Sequence, residues 1–183
     1  MDNRITLHDK RFRPFIPNEE IERAIDKVAE RLNQDYAGVS EADAPVLLCT
    51  LNGAVIFAAE LLKRIDFPCV FKAVKMSSYV GTQSTGEVQG DLAAGYNYKG
   101  RRIIVVEDIV DTGNTIEAIT GQLSKLGAAE VKVCTLLVKP EVYKKTVKLD
   151  YVAMEIPNRF IVGFGLDYDD LGRNIKDIYV LDD

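Results

Sequence analysis

Residues 102–115, RIIVVEDIVDTGNT, decide the fold that this sequence predicts. A short apolar run without alternation ends at two adjacent carboxylates, Glu107 and Asp108. Such a run is typical of a strand that is buried on both faces of a parallel sheet. A third carboxylate, Asp111, precedes a Thr-Gly-Asn-Thr turn, and an apolar face at helical spacing follows. The segment therefore predicts a strand, a turn and a helix, with the acids where the strand ends.

Helices and strands alternate along the rest of the chain. Helical periodicity predicts helices at 18–33, with Asn18 as the N-cap, at 54–65, and after the turn as far as Gly127. Apolar runs predict strands at 44–51, 69–76, 102–108, 130–139 and 151–156, and the tail at 159–181 reads as irregular. This alternation predicts an α/β fold, with a central, mostly parallel sheet flanked by helices.

Composition limits the class of protein. A chain of 183 residues with 47% apolar and 28% charged residues is typical of one globular domain. A net charge of −5 argues against a nucleic-acid or membrane surface, which would need a basic field. No apolar run is as long as a transmembrane helix, and the N-terminus lacks the apolar region of a signal peptide, so we expect a cytoplasmic protein.

Nucleophilic and ATP-hydrolysing sites are disfavoured by the residue inventory. Cys49, Cys69 and Cys134 each lie in an apolar run, which fits reduced, buried thiols and not disulfides or a metal site. The single histidine, His8, lies in a polar stretch, so a Cys-His or Ser-His nucleophile is disfavoured. No G-x-x-x-x-G-K motif occurs, which argues against a Walker loop.

The stretch from residue 77 to residue 100 is rich in Gly, Ser and Thr and shows no apolar periodicity. A stretch of this length is either a mobile functional loop or a flexible hairpin. A loop of this kind could close over a reaction and exclude water.

The residues around the acids are suited to a sugar phosphate. In parallel sheets ligands bind at the carboxyl ends of the strands, where Asn52, Gly53 and Lys139 are also expected. The turn at 111–115 leads into a helix N-terminus, whose free amides and dipole favour an anion such as phosphate. The carboxylates before it are acceptors only, which suits ribose hydroxyls or a hydrated divalent cation. A plain turn with solvated acids is the alternative, and agreement among neighbouring positions disfavours it.

These residues also carry a resemblance. The stretch VVEDIVDTGNT resembles the signature of type I phosphoribosyltransferases, which bind 5-phosphoribosyl-1-pyrophosphate (PRPP). Four further stretches, LLCTLNGA, MSSYVGTQSTGEV, LLVK and EIPNRFIVGFGLDYDDLGRN, are similar to the hypoxanthine-guanine branch of that family. The similarity extends over almost the whole chain from about residue 44.

The resemblance implies a role for each residue of the acidic stretch. Glu107 and Asp108 would hold the ribose hydroxyls, with Mg²⁺ bridging ribose and pyrophosphate. Asp111 would accept the proton at the purine N7. The 5′-phosphate would be cradled by Thr112, Gly113, Asn114 and Thr115.

Roles outside that stretch follow from the same resemblance. Pyrophosphate would be bound by Leu51, Asn52 and Gly53, through a cis peptide, and by Arg173. Ser78 and Tyr79 would lie on a loop that closes over the reaction. The purine would meet Phe160 by stacking, Lys139 at O6 and the Ile161 region at C2, and Asp167 would hold a second Mg²⁺. Taken singly, Phe160 fits a core position, and Lys139 and Arg173 fit the surface, so the shared motif carries these assignments.

Asn52 and Asn114 depart from the family pattern, because many relatives carry lysine at both positions. The loss of two cations predicts weaker contacts to pyrophosphate and to the 5′-phosphate.

The resemblance, together with the predicted α/β fold, implies a hypoxanthine (guanine) phosphoribosyltransferase of purine salvage. We expect a single domain over residues 1–183, with a core at about 18–150 and a small hood from 1–17 and 151–183. The implied partners are PRPP, a purine base, pyrophosphate and Mg²⁺, in a homodimer or homotetramer. The alternatives are a xanthine-preferring relative and a regulatory protein that keeps the fold but binds RNA. The latter would need a basic face, which a pI of about 5.0 does not suggest.

Overall fold

The computed structural model describes residues 3–78, 88–89, 92 and 96–182. Within these ranges the helices are α1 (Asn18–Asp35), α2 (Val55–Leu62) and α3 (Asn114–Lys125). The strands are β1 (Ile5–Leu7), β2 (Lys10–Ile16), β3 (Val46–Leu51), β4 (Val70–Lys75), β5 (Ser77–Ser78), β6 (Val88–Gln89), β7 (Arg102–Val110), β8 (Glu130–Val138), β9 (Tyr151–Glu155), β10 (Ile161–Val162) and β11 (Ile178–Leu181).

The central sheet has the strand order β4-β3-β7-β8-β9, and each neighbouring pair is parallel. Successive residues of β7 face opposite layers, because side chains alternate across a strand. Ile104 and Val106 pack in the layer of α1 and α2, and Ile103 and Val105 pack in the layer of α3. Both faces are therefore apolar, which explains the run without alternation and confirms the predicted parallel sheet.

Strand β7 is longer than the sequence predicted. It continues to Val110, because Ile109 pairs with Leu137 and Val110 pairs with Val138 of β8. Glu107 and Asp108 consequently lie inside the strand and not at its end, where they were predicted. Their backbone is fixed by the sheet, so the positions of both carboxylates are set by a rigid element.

The predicted N-cap of α1 is wrong. Pro17 occupies the cap position, and Asn18 is the first helical residue. The carboxylate of Asp177 accepts the hydrogen bond of the Asn18 amide at 2.8 Å, while Asn18 Nδ2 donates to Glu22 at 2.6 Å. The capping group therefore comes from the other end of the chain, which no local pattern could indicate.

Both chain ends contribute to a second, antiparallel sheet with the order β1-β2-β11-β10, which corresponds to the hood. The prediction of an irregular tail is wrong here, because β11 pairs with both β2 and β10. The predicted hood boundary at residue 151 also needs correction. Strand β9 pairs with β8 in the central sheet, and the buried Tyr151 packs in the core, so the hood strands of the tail begin at Ile161.

The remaining sequence predictions concern the thiols, membrane segments and the 77–100 stretch. Cys49 and Cys134 are buried, Cys69 is partly buried, and all three are free, as predicted. No helix in the described ranges has the length and apolarity that a membrane crossing requires. Ser77 and Ser78 pair antiparallel with Val88 and Gln89, whereas Tyr79 and the expected loop around it lie outside the described residues.

Candidate active site

Glu107 is a buried carboxylate at the carboxyl end of the sheet, with 6% of its surface exposed. The Thr50 hydroxyl of the neighbouring strand donates to Glu107 Oε1 at 2.7 Å, and the Asp108 amide approaches the same oxygen at 3.2 Å. Burial and the charge of Asp108 raise the pKa of Glu107 well above its usual value. Within the described ranges Glu107 Oε2 has no hydrogen-bond partner. The side chain therefore keeps an acceptor that a positively charged ligand could satisfy.

Asp108 lies against the loop that follows β3. A Cβ built on Gly53 would stand 1.6 Å from Asp108 Oδ2, so only glycine permits this approach. The Leu51–Asn52 peptide bond of this loop is cis, as the sequence resemblance implied. Asp108 Oδ1 accepts a hydrogen bond from the Ile109 amide at 2.8 Å. The predicted pyrophosphate loop and the predicted ribose-binding acids thus meet at one edge of the sheet.

The turn between β7 and α3 forms a small polar cavity. Gly113 is the residue before the helix and has a φ of 85°, in the left-handed region that favours glycine. The amides of the first helical turn have no partner inside the helix, so they are available to an anion. The cavity is lined by Glu107, Ile109, Val110, Asp111, Thr112, Gly113, Asn114, Thr115 and Ile116. Each residue of the predicted phosphate cradle is therefore in the lining.

Lys139 and Asp111 form an ion pair across the ends of β8 and β7. Lys139 Nζ lies 3.0 Å from Asp111 Oδ2, and the side chains are 10% and 47% exposed. The Lys139 amide donates to the Val110 carbonyl at 3.0 Å, which continues the pairing of the two strands. The pair presents a cationic donor and an anionic acceptor side by side, next to the cavity of the predicted phosphate cradle.

The hood brings a second group of predicted residues to the same region. Arg173 binds Asp167 Oδ1 at 2.8 Å and the Gly165 carbonyl at 2.9 Å. Gly165 in turn lies against the carbonyl oxygen of Gly53. The loop that follows β10 is therefore in contact with the loop that follows β3, and Asp167 and Arg173 are paired with each other.

The predicted purine contacts Phe160, just before β10, and Ile161, within it, differ in exposure. Phe160 is 45% exposed, and its ring lies 5.7 Å from Tyr168 and 6.1 Å from Phe12, between centroids. A ring that packs on neighbouring rings and is partly open to solvent can also stack on a planar ligand. Ile161 is 6% exposed and packs in the hydrophobic core, so only its backbone is suited to contact a ligand.

Comparisons with known proteins agree with this geometry. A family model described as the phosphoribosyl transferase domain matches residues 16–169. The hypoxanthine-guanine phosphoribosyltransferase of Streptococcus thermophilus is 42% identical over 164 residues, which cover 89% of each chain. That of Lactococcus lactis is 42% identical over 168 residues, which cover 91% of this chain and 89% of its own. This chain belongs to the hypoxanthine-guanine phosphoribosyltransferase family.

A solved structure of the same family has the same fold. The hypoxanthine phosphoribosyltransferase from Trypanosoma cruzi, as a variant complexed with the product IMP, superposes with a TM-score of 0.85. It is 32% identical in sequence, and the alignment covers 97% of this chain and 94% of the other. The predicted α/β fold of the type I phosphoribosyltransferases is thereby confirmed.

Three residues that approach the family's characteristic loops were missed in the sequence. The Thr50 hydroxyl donates to Glu107, and Tyr143 and Lys145 lie against Gly113 in the predicted phosphate cradle. A Cβ on Gly113 would stand 2.5 Å from Tyr143 Cε2 and 2.8 Å from Lys145 Cγ. About thirty positions separate these residues from Gly113 in the chain, so no local spacing could have indicated the contact. Only the polar Thr50 at the end of an apolar strand gave a signal that could have been read.

Proposed function

We propose that this protein transfers the 5-phosphoribosyl group from PRPP to a 6-oxopurine, hypoxanthine and also guanine, in purine salvage. The products are IMP or GMP and pyrophosphate. The observation that carries the proposal is the Lys139–Asp111 pair, with its 3.0 Å separation, beside the phosphate loop. A 6-oxopurine offers an acceptor at O6 and an N–H at N7, which match the ammonium and the carboxylate. Family membership supports the same reaction.

In the proposed reaction the anomeric carbon of PRPP loses its bond to pyrophosphate and gains a bond to the purine nitrogen. The carboxylate of Asp111 accepts the proton from N7 as positive charge develops on the base. The loop at 111–115 holds the 5′-phosphate, and the backbone of Leu51, Asn52 and Gly53, with Arg173, holds pyrophosphate. These contacts fix the anomeric carbon between its two partners, so that binding energy contributes to orientation.

The carboxylates of this site fit Mg²⁺. Among the described residues no group of three or more acidic, histidine or cysteine side chains could hold a metal alone. Mg²⁺, however, is commonly held by one or two carboxylates together with substrate phosphates. Oε2 of Glu107, which is buried beside Asp108 and has no hydrogen-bond partner among the described residues, suits such a cation. Glu107 and Asp108, and separately Asp167, would hold Mg²⁺, which neutralises the charge of the departing pyrophosphate.

The direct test is incubation of the purified protein with PRPP, Mg²⁺ and, in turn, hypoxanthine, guanine and xanthine. We expect IMP and GMP together with one pyrophosphate for each nucleotide, and no product when EDTA is present. A higher kcat/KM for xanthine than for both other bases would contradict the proposed substrates. Full turnover in EDTA would contradict the proposed roles of Glu107, Asp108 and Asp167 at the metal.

We also propose a cytoplasmic homodimer or homotetramer. Apolar side chains are exposed on α2, at Val55 and Ile56, and on the edge strand β4, at Phe71. Exposed apolar surface of this kind supports association with another protein surface. Analytical ultracentrifugation measures the assembly, and a monomer at micromolar concentration would contradict this part of the proposal.

A further inference from the structure

The proposed phosphate site has no cation of its own. Between residues 111 and 116 the only charged side chain is that of Asp111, which is negative. A 5′-phosphate would bring further negative charge next to this carboxylate. Backbone amides and a helix dipole favour an anion, but they supply only about half an elementary charge. A cationic side chain near the loop would therefore strengthen binding considerably.

Lys145 is such a side chain. Its Cγ touches the phosphate loop, at 2.8 Å from the point where a Cβ on Gly113 would stand. Its Nζ lies 2.7 Å from Glu117 Oε2, in the first turn of the helix that begins after Gly113. The flexible end of the side chain, beyond Cγ, therefore lies beside the loop that would hold the phosphate.

Tyr143 holds the segment that carries Lys145 against the loop that contains Gly113. Its ring packs on Gly113, with Cε2 at 2.5 Å from the same built Cβ position. Its hydroxyl donates to the Val147 carbonyl, which closes a turn around Lys145. These two contacts of Tyr143 hold the backbone that carries Lys145 against the loop. They do not depend on the group that the Lys145 ammonium binds.

We propose that Lys145 is a phosphate-binding residue, whose ammonium exchanges the Glu117 carboxylate for the 5′-phosphate when a substrate or product nucleotide is bound. This inference rests on the proposed function, because it assigns a further residue to the same phosphate site. The exchange costs little, since the ion pair is partly exposed, with side-chain exposures of 28% and 52%. The gain is larger, because a charge-assisted hydrogen bond to a phosphate dianion is among the stronger polar contacts.

The rival interpretation is a structural clip, in which the Lys145–Glu117 pair only ties the segment after β8 to α3. The two interpretations differ in what they predict for PRPP binding by two variants, Lys145→Met and Glu117→Gln. If the pair is a clip, Lys145→Met and Glu117→Gln both break it and have the same effect. If Lys145 binds phosphate, Lys145→Met weakens PRPP binding, whereas Glu117→Gln frees the ammonium and does not weaken it.

The experiment measures steady-state kinetics of the wild-type protein, both variants and the control Lys144→Met, which changes an exposed neighbouring lysine. For Lys145→Met we expect an increase of about ten-fold in the KM for PRPP and in the Kd for IMP. The kcat and the KM for hypoxanthine should change less than about two-fold, because the base has no phosphate. For Glu117→Gln we expect a KM for PRPP that is equal or lower, and for the control Lys144→Met we expect an unchanged KM.

An increase in the KM for PRPP in both Lys145→Met and Glu117→Gln would overturn the proposal in favour of the clip. An unchanged KM in Lys145→Met would also overturn it. If Lys145→Met does not fold, the KM for PRPP of Glu117→Gln decides, since a raised KM contradicts phosphate binding and an equal or lower KM supports it. Failure of the proposed function is distinguishable, because the wild-type protein would then form no IMP.

Discussion

Asp111 lies where its carboxylate is both open to a ligand and paired with a lysine. Its carboxylate is 47% exposed, and it is paired with Lys139 at 3.0 Å. Glu107, only a few residues earlier, is buried, and burial raises its pKa. Two carboxylates that are four positions apart therefore differ in environment, which agrees with the different roles proposed for them: Glu107 in binding and Asp111 in accepting a proton.

Asp111→Asn should lower kcat by about 100- to 10,000-fold, the range typical of lost general base catalysis. Asparagine keeps the shape of the side chain but cannot accept the N7 proton. Because the phosphate and pyrophosphate contacts remain, the KM for PRPP should change little. Steady-state measurements with hypoxanthine test this, and an unchanged kcat would remove Asp111 from the proposed mechanism.

The proposed contact between Lys139 and O6 leads us to expect a preference for 6-oxopurines over adenine. The Lys139 ammonium has donors only, so it matches the 6-oxo group of hypoxanthine and guanine and opposes the 6-amino group of adenine. A buried donor that loses its required partner discriminates by on the order of 10⁴ in kcat/KM. We therefore expect kcat/KM for adenine to be lower than kcat/KM for hypoxanthine by about this factor. Comparable turnover of the two bases would contradict this role.

The variant Lys139→Gln tests whether Lys139 causes the preference for 6-oxopurines over adenine. The glutamine amide carries both a donor and an acceptor. The variant should therefore reduce the ratio of kcat/KM for the oxopurines to kcat/KM for adenine, mainly by lowering kcat/KM for the oxopurines. The matched control is Lys144→Gln, at an exposed position of the following segment, which should leave the ratio of kcat/KM values unchanged.

At the scale of elements, the site depends on how closely two loops and one strand approach. Gly53, in the loop after β3, contacts Asp108. Gly165, in the loop after β10, contacts the carbonyl of Gly53. The strand ends are adjacent in the sheet, since β3 and β7 pair from Val46 and Ile103 onward. Parallel pairing therefore places the loops that follow these strands next to each other, which is the general reason that such sheets bind ligands there.

Gly53→Ala should reduce kcat/KM by about 100-fold or more, the scale of loss that a misplacement of 1 Å can cause. The added Cβ would stand 1.6 Å from Asp108 Oδ2, so the carboxylate or the loop must move. The matched control is Gly121→Ala in α3, where a Cβ meets nothing within 4 Å. Alanine is the better helix former, so the control should raise the free energy of unfolding by about 0.5–1 kcal/mol. Chemical denaturation and steady-state kinetics measure both effects.

At the scale of the whole molecule, the two packed layers protect the thiols to different extents. Cys49 and Cys134 are fully buried in the sheet, whereas Cys69 is partly exposed. Burial raises the pKa of Cys49 to about 12 and raises the pKa of Cys69 as well. A thiol whose pKa is higher in the folded state stabilises that state below its unfolded pKa of about 8.5. This contribution is lost as the pH rises from there towards 12.

A disulfide reagent at pH 8 should therefore modify one thiol, Cys69, in the native protein, and all three after unfolding in denaturant. Absorbance of the released thiolate counts the modified residues. In Cys69→Ala the native protein should show no fast reaction. Rapid modification of two or more thiols without denaturant would contradict the described packing.

The sequence by itself determined the central sheet and the identity of the loops at its edge. Apolar runs and helical faces are local patterns, and each is imposed by burial of the residues that carry it. The stretch at 102–115 predicted β7, the turn and α3, and the acids and Gly113 within it predicted a phosphate and ribose site. The structure brings these residues together, and their individual roles remain predictions.

Tertiary structure alone decided contacts between residues that are distant in the chain. These include the cap that Asp177 provides for α1, the pairing of β11 with β2, and the packing of Tyr143 and Lys145 on Gly113. Short strands such as β10 and β11 have few residues with which to form a pattern, and β2, which pairs with β11, lies at the opposite end of the chain. The extension of β7 to Val110 has the same cause, because hydrogen bonds to β8 stabilise two further residues. Local sequence encodes which face is buried, whereas the fold decides which distant group meets it.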